Sequence, residues 1–160
     1  MTDGDQDRPT EPPPPAAARP GDRRQLARRL VCAPAEDRLA ELGGWLTSDF
    51  VSESPSRPAM RGVAEYRDYM LRHRRAFPDF AVEVTEVLAE GDRVMVRWKA
   101  TGTHQGDFFG IPATGAPVEF TGISLFTFSG DRIARQWVQS DAMTLFRQLG
   151  AIELPTHSVR

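Results

Sequence analysis

The second half of the chain alternates apolar and polar residues over runs that suit only a sheet. "FAVEVTEVLAE" and "RVMVRWKATGTHQG" meet at Gly91–Asp92, and "VEFTGISLFTF" and "IARQWVQSD" meet at "SGDR". Side chains two positions apart share one face of a strand, so one face of the second run carries Val94, Val96, Trp98 and Ala100. The third run is apolar on nearly both faces, as a central strand is. The pattern predicts an antiparallel meander with hairpin turns.

The first half has helical spacing instead. "RRQLARRLVCA", "AEDRLAELGGWL" and "GVAEYRDYMLRHRRAF" place apolar residues three and four apart, and "TSDFVSESPSRPAMRG" between the last two predicts a loop. Helices followed by a meander indicate an α+β fold. We expect a curved sheet closed by the N-terminal helices, with a cavity between them.

Both ends of the chain differ in composition from this domain. Residues 1–21 have proline runs and no large apolar residue after Met1, which predicts a disordered Pro-rich tail. Residues 22–155 are then a single domain, and residues 156–160 a flexible C-terminus. No run approaches the roughly 18 apolar residues of a membrane helix, so we expect no membrane partner.

Charge and cysteine content narrow the function classes. The formal net charge of −2 argues against nucleic-acid binding. The basic cluster at 72–77, "RHRRAF", is interpreted as the solvated face of a helix, with anion steering as the alternative. Cys32 is the only cysteine, which excludes an intrachain disulfide and predicts a cytoplasmic protein. The three histidines have no ligand spacing, so no metal is expected.

Asp141 stands where the last strand gives way to a helix. Strict alternation places it on one face with Ile133, Trp137 and Gln139, among bulky apolar groups. Desolvation there would raise the pKa of the carboxyl above about 3.9 and make it a usable acid or base. The alternative is that Asp141 caps the helix "AMTLFRQL". The residues alone leave both roles open.

Several other side chains are candidates for the site. His104, in "GTHQG", could donate to a substrate carbonyl or relay a proton, or it could satisfy backbone groups at a strand end. "DFFGIPATG" places apolar residues in a loop, where they would plug a satellite core or cover a pocket. The candidate substrate-binding residues are Trp45, Tyr66, Met70, Trp98, Phe109, Trp137 and Gln139.

The motifs resemble a known family. "AFPDF", "EGDRVMVRW", "TGTHQGDFFGIPATGAPVEFTGISLF", "DRIARQWVQSD" and "FRQLGA" follow the order and spacing of SnoaL-like proteins, the polyketide and ester cyclase branch of the nuclear-transport-factor-two-like superfamily. The resemblance covers about residues 40 to 151. It implies a cone-shaped α+β barrel with an apolar pocket, in a homodimer or homotetramer.

The resemblance also implies a reaction class. In the characterised cyclases an aspartate of the "W-x-x-x-D" ending acts as acid and base in an aldol closure of a polyketide ester, without metal or cofactor; it corresponds to Asp141. Glu53, in "DFVSESP", stands where relatives often carry a histidine and becomes a third catalytic candidate after His104.

We therefore expect a cofactor-independent cyclase that acts on a small polyketide-derived molecule in natural-product biosynthesis. Two alternatives stay open. An epoxide-opening cyclase or hydrolase would need Asp141 and Glu53 both to face the cavity. A non-catalytic protein would bind an apolar ligand without converting it.

Overall fold

The structure is a computed structural model that describes residues 20–153 of the 160-residue chain. The predicted tails fall mainly outside these residues, and α1 begins at Pro20, inside the stretch predicted as tail. The helices are α1 (Pro20–Cys32), α2 (Leu42–Trp45), α3 (Gly62–Ala76) and α4 (Ala142–Gln148), with a 3₁₀ turn at Leu39–Glu41. The strands are β1 (Leu46–Ser54), β2 (Arg57–Arg61), β3 (Ala81–Glu90), β4 (Arg93–Thr103), β5 (Pro117–Ser129) and β6 (Arg132–Ser140).

The six strands form one curved, unclosed sheet in the order β2-β1-β6-β5-β4-β3. The α+β class is confirmed, and β3 to β6 form the predicted meander. The predicted loop before α3 is instead the hairpin of β1 and β2, and β1 pairs with β6 in parallel. The sequence does not predict this hairpin because β1 has few buried residues, among them Phe50 and Ser52, and they lie between exposed polar residues.

The helices cover one face of this sheet. Leu30 of α1, Tyr66 of α3 and Phe126 of β5 belong to one buried cluster between the two layers. The predicted inner face of β4 is confirmed, since Val94, Val96 and Ala100 are buried. The second predicted helix shrinks to the 3₁₀ turn and α2, whose Gly43 and Gly44 lower its helix propensity.

A second buried cluster lies where α4 and the β4–β5 loop meet the sheet. Phe108 of that loop packs there with Phe77, Phe120 and Leu145. Apolar loop residues were predicted to plug a satellite core or to cover a pocket. The plug is confirmed for Phe108, whereas the neighbouring Phe109 is 50% exposed.

A bulge in β6 changes which residues face inward. Thr127 pairs with Arg135 but Phe128 pairs with Ile133, so Ala134 is an extra residue on β6. Before the bulge Ile133 is buried; after it, Gln136 is buried and Trp137 is 43% exposed. Strict alternation across the strand was therefore wrong. Among residues 20–153, no helix is long and apolar enough to cross a membrane.

Candidate functional site

A cavity opens between α1, α3 and the inner face of the sheet. The empty space inside it and at its open mouth together amounts to about 710 Å³. Its walls are mostly apolar, and their larger members include Leu30, Met70, Val82, Trp98, Phe120 and Val138. A concave, mainly apolar site with a few polar groups is the usual form of a small-molecule site.

A chain of hydrogen bonds crosses one wall of the cavity. Arg57 Nη2 donates to Ser52 Oγ at 2.7 Å, and this hydroxyl donates to Gln136 Oε1 at 2.8 Å. Gln136 Nε2 lies 3.5 Å from Ser124 Oγ, which also accepts from Trp98 Nε1 at 3.1 Å. Ser52, Ser124 and Gln136 are buried, so these bonds are shielded from water. The network fixes the orientations of Arg57 and Trp98 in the wall.

Tyr66 and Tyr69 of α3 line the cavity beside this network. Burial raises the pKa of both hydroxyls, and the positive charge of Arg57 opposes the rise in each. The Arg57 guanidinium lies over the Tyr69 ring, 4.9 Å from its centroid. Both tyrosines are therefore protonated near neutral pH and available as hydrogen-bond donors.

His73 is the histidine that lines the cavity. Burial, and secondarily the charge of Arg57, lowers the pKa of His73 from 6.5 to about 4. Its ring packs against Tyr69 at 4.6 Å and Phe108 at 5.1 Å between centroids. The Nε2 atom is buried and has no hydrogen-bond partner among the described residues. The cavity thus holds a neutral imidazole with one nitrogen unused by the fold.

The basic cluster at 72–77 was interpreted as solvated, and this was wrong for His73. Helical spacing would have found it, because Tyr66, Tyr69, Met70 and His73 follow the spacing i, i+3, i+4, i+7 of one helix face. The arginines on either side hid that pattern. Tyr66, Met70 and Trp98 lie in the cavity wall, and their contact with a substrate stays a prediction.

Asp141 lies outside this cavity. It is exposed, and it caps α4 by accepting from the backbone N–H of Thr144 at 3.0 Å. Hydrogen bonding from Thr144 lowers the pKa of Asp141, the opposite of the predicted shift. The helix-cap interpretation is confirmed, and the apolar surroundings are wrong because the bulge turns the end of β6. Asp141 lines a shallow groove that meets the cavity mouth at Ser56 and Ser140.

Three other candidates lie on the outer face of the sheet. Glu53 pairs with Trp137 across β1 and β6, and both are exposed there together with Gln139. Trp137 and Gln139 face outward because the bulge at Ala134 reverses the faces of the residues that follow it on β6. The structure therefore does not bring Asp141 and Glu53 into the cavity together, as epoxide opening would require.

His104 is fully buried but does not line the cavity. The backbone N–H of Thr114 donates to its Nδ1 at 3.2 Å, and its ring lies 5.4 Å from that of Phe77. This confirms the alternative in which His104 satisfies backbone groups at the end of a strand. Trp45 is likewise buried in the main core, outside the cavity lining, with the Arg38 guanidinium over its ring.

Phe109 sits at the edge of the site. It adopts a positive φ of 52°, and its exposed ring lies 5.6 Å from Tyr69 and 6.0 Å from His73 between centroids.

Within residues 20–153, no group of three or more His, Cys, Asp or Glu side chains could hold a metal ion.

The chain belongs to the SnoaL-like polyketide cyclase family, whose sequence profile matches residues 24–149. No curated protein matches it at a significant level. Among solved structures it is 27% identical to AclR, provisionally described as a hydroxylase, from Streptomyces galilaeus (84% of this chain, 100% of that chain, TM-score 0.75). It is 28% identical to IdmH, provisionally described as a polyketide cyclase, from Streptomyces antibioticus (79% and 99%, TM-score 0.66). These relationships support a polyketide cyclase-type role.

Proposed function

We propose that the chain is a cofactor-independent cyclase that closes a ring in a polyketide-derived carbonyl compound bound in the cavity. The observation that carries the proposal is the neutral His73 imidazole, with an unpartnered Nε2, beside Tyr69 and Arg57 in an apolar wall. Family membership supports the reaction class. The proposal moves proton transfer from Asp141 to His73, because Asp141 caps a helix outside the cavity.

The chemistry is an intramolecular aldol closure. His73 accepts a proton from the carbon next to a carbonyl, the resulting enolate carbon attacks a second carbonyl, and the new alkoxide takes the proton back. The protonated imidazole is costly in this buried position, but the enolate beside it stabilises that charge. Tyr69 would donate to the enolate oxygen, where a preorganised donor favours developing negative charge.

The experiment compares His73→Gln with Arg72→Gln, an exposed neighbour on the same helix. Polyketide-derived β-diketones with an aromatic ring, each bearing either a free carboxyl group or its methyl ester, serve as trial substrates, and cyclised product is measured by chromatography with mass detection. We expect His73→Gln to lose at least about 100-fold in turnover, since general acid–base catalysis contributes about 10²- to 10⁴-fold. Ligand affinity should change only a few-fold, and Arg72→Gln should match wild type.

Two outcomes would count against the proposal. Undiminished turnover in His73→Gln would remove His73 from the mechanism. Tight binding of every trial compound without conversion would favour the non-catalytic binding protein instead.

We also propose that the chain self-associates through the outer face of the sheet. Trp137 and Ile123 are 43% and 41% exposed there, with Leu125 beside them on β5 as the cross-strand partner of Trp137. An apolar sheet face left open by the helices commonly packs against another subunit. We further propose that the protein acts in the cytoplasm, in natural-product biosynthesis.

A further inference from the structure

Arg57 introduces a positive charge into the cavity wall that the described residues leave unbalanced. Within residues 20–153, no Asp or Glu lines the cavity. Arg57 takes part in none of the ion pairs found within residues 20–153. A charge in a partly apolar site is unfavourable unless a counter-charge or polar groups balance it. The cavity therefore favours an anion over a neutral ligand of the same shape.

The guanidinium is held in place without using all of its donors. It donates through Nη1 to the carbonyls of Ser52 and Pro58, both at 3.2 Å, and through Nη2 to Ser52 Oγ at 2.7 Å. An arginine has five N–H donors, and these bonds take three of them. The Tyr69 hydroxyl also hydrogen-bonds to the guanidinium, so at least one N–H is left for a ligand. The planar, charged guanidinium suits the oxygens of a carboxylate.

The charge of Arg57 also acts across the cavity. It opposes the rise that burial causes in the pKa values of Tyr66 and Tyr69, and it adds to the fall that burial causes in the pKa of His73; all three residues line the cavity. His73 itself stays neutral near pH 7, so it neither adds to this charge nor competes for an anion. Among the described residues, Arg57 is the only cationic group of the lining at that pH.

We propose that Arg57 selects a substrate bearing a carboxylate, so that the natural ligand is a flat, largely apolar aromatic acid and not its neutral ester. The inference rests on the proposed function only in taking this cavity as the ligand site. Trp98 and Phe120 form apolar wall for the rings, and Arg57 binds the carboxylate.

The test uses 2-naphthoate and methyl 2-naphthoate as probes, with affinities measured by calorimetry at neutral pH and low salt. Wild type should bind the acid at least about tenfold more tightly than the ester, a difference of about 1.4 kcal/mol. Added salt should weaken binding of the acid and leave that of the ester unchanged. The Arg57→Gln variant should bind the acid no more tightly than the ester. Its affinity for the ester should stay within about threefold of the wild-type value.

Two further variants separate charge from structure. Arg61→Gln removes an exposed arginine of the same strand and should keep the full preference. Arg57→Lys keeps the charge but not the fork, so it should retain a reduced preference for the acid. If Arg57→Gln fails to fold, Arg57→Lys and the salt dependence of wild type decide the question.

The results separate this inference from the proposed function. Equal binding of acid and ester by wild type, or an undiminished preference in folded Arg57→Gln, would overturn the carboxylate inference and leave the cyclase proposal standing. Failure of both probes to bind would count against the cavity as a site for aromatic ligands, and therefore against both.

Discussion

Gly122 of β5 lies directly opposite Trp98 of β4, and the indole ring occupies the space that a Cβ at Gly122 would need. The ring is held there by the hydrogen bond from Trp98 Nε1 to Ser124. Because Trp98 forms part of the cavity wall, the absence of a side chain at Gly122 determines the shape of the proposed site.

Gly122→Ala should destabilise the fold and displace Trp98. Overpacking of this kind typically costs about 1 to 3 kcal/mol. Gly43→Ala is the matched control, because nothing lies within 4 Å of the added Cβ there. Denaturant unfolding and tryptophan fluorescence measure both effects, and equal unfolding midpoints for the two variants would mean that Trp98 is not fixed as described.

His73 should make stability depend on pH. In the unfolded chain its pKa is near 6.5, whereas burial lowers the pKa of the folded form to about 4. The unfolded state therefore binds the proton first, and stability decreases as pH falls from about 6.5 towards 4. The loss is at most about 3 kcal/mol, and less where solvent reaches the ring.

The measurement compares the free energy of unfolding of wild type and His73→Gln across this pH range. The variant lacks the titrating imidazole. The difference between the two curves therefore gives the contribution of His73 separately from that of the carboxylates, which titrate in a neighbouring pH range. A constant difference between pH 6.5 and 4 would show that the imidazole is as solvated as in the unfolded chain.

The sequence predicted the layers of the fold better than the residues of the site. Alternation identified β4 because Val94, Val96 and Trp98 do face the helices. It misplaced Trp137 and Gln139 because one extra residue, Ala134, reverses the faces of the rest of β6. A bulge is a property of strand pairing and leaves no period of its own in the sequence.

His73 and Arg57 were missed for a different reason. His73 is one polar residue in a run of arginines, and only the common face of α3 separates it from its exposed neighbours. Arg57 belongs to a stretch that looks like a loop, and its place in the cavity wall depends on the pairing of β1 with β2 and β6. Long-range pairing of this kind cannot be deduced from local spacing.

Asp141→Asn should be nearly silent, because asparagine caps a helix about as well as aspartate does. Asp141→Ala should lower stability by about 1 kcal/mol, since the bond to the Thr144 N–H is lost. The deficit of the alanine variant should shrink at acidic pH: the cap bond lowers the pKa of Asp141, and its contribution is lost as pH falls through that lowered value. Thermal unfolding and turnover are measured together, and a turnover loss of 100-fold or more in Asp141→Asn would return the aspartate to the mechanism.

Trp137→Glu should convert the proposed oligomer into monomers, because a charge at the centre of an apolar contact would be buried without a partner. Leu88→Glu is the control, since Leu88 is 55% exposed but lies on β3 at the sheet edge. Sedimentation velocity at micromolar concentration distinguishes the two. Wild type sedimenting only as a monomer would refute the proposed interface, as would an unaltered oligomer in Trp137→Glu.

Phe109 should slow ligand release at the cavity edge. Its positive φ of 52° costs about 1 to 2 kcal/mol for a bulky residue, yet it places the ring against Tyr69 and His73. Asparagine tolerates this backbone conformation, and Phe109→Asn removes the ring. We therefore expect stability to stay within about 1 kcal/mol of wild type and bound 2-naphthoate to dissociate several-fold faster.

The control is Phe108→Leu, which perturbs the buried plug. It should lower stability by about 1 kcal/mol or more and change the dissociation rate less than Phe109→Asn does. Stopped-flow fluorescence measures the dissociation rates. Equal rates for wild type and Phe109→Asn would contradict a role of Phe109 in ligand release, and the loop would then contribute only through the packing of Phe108.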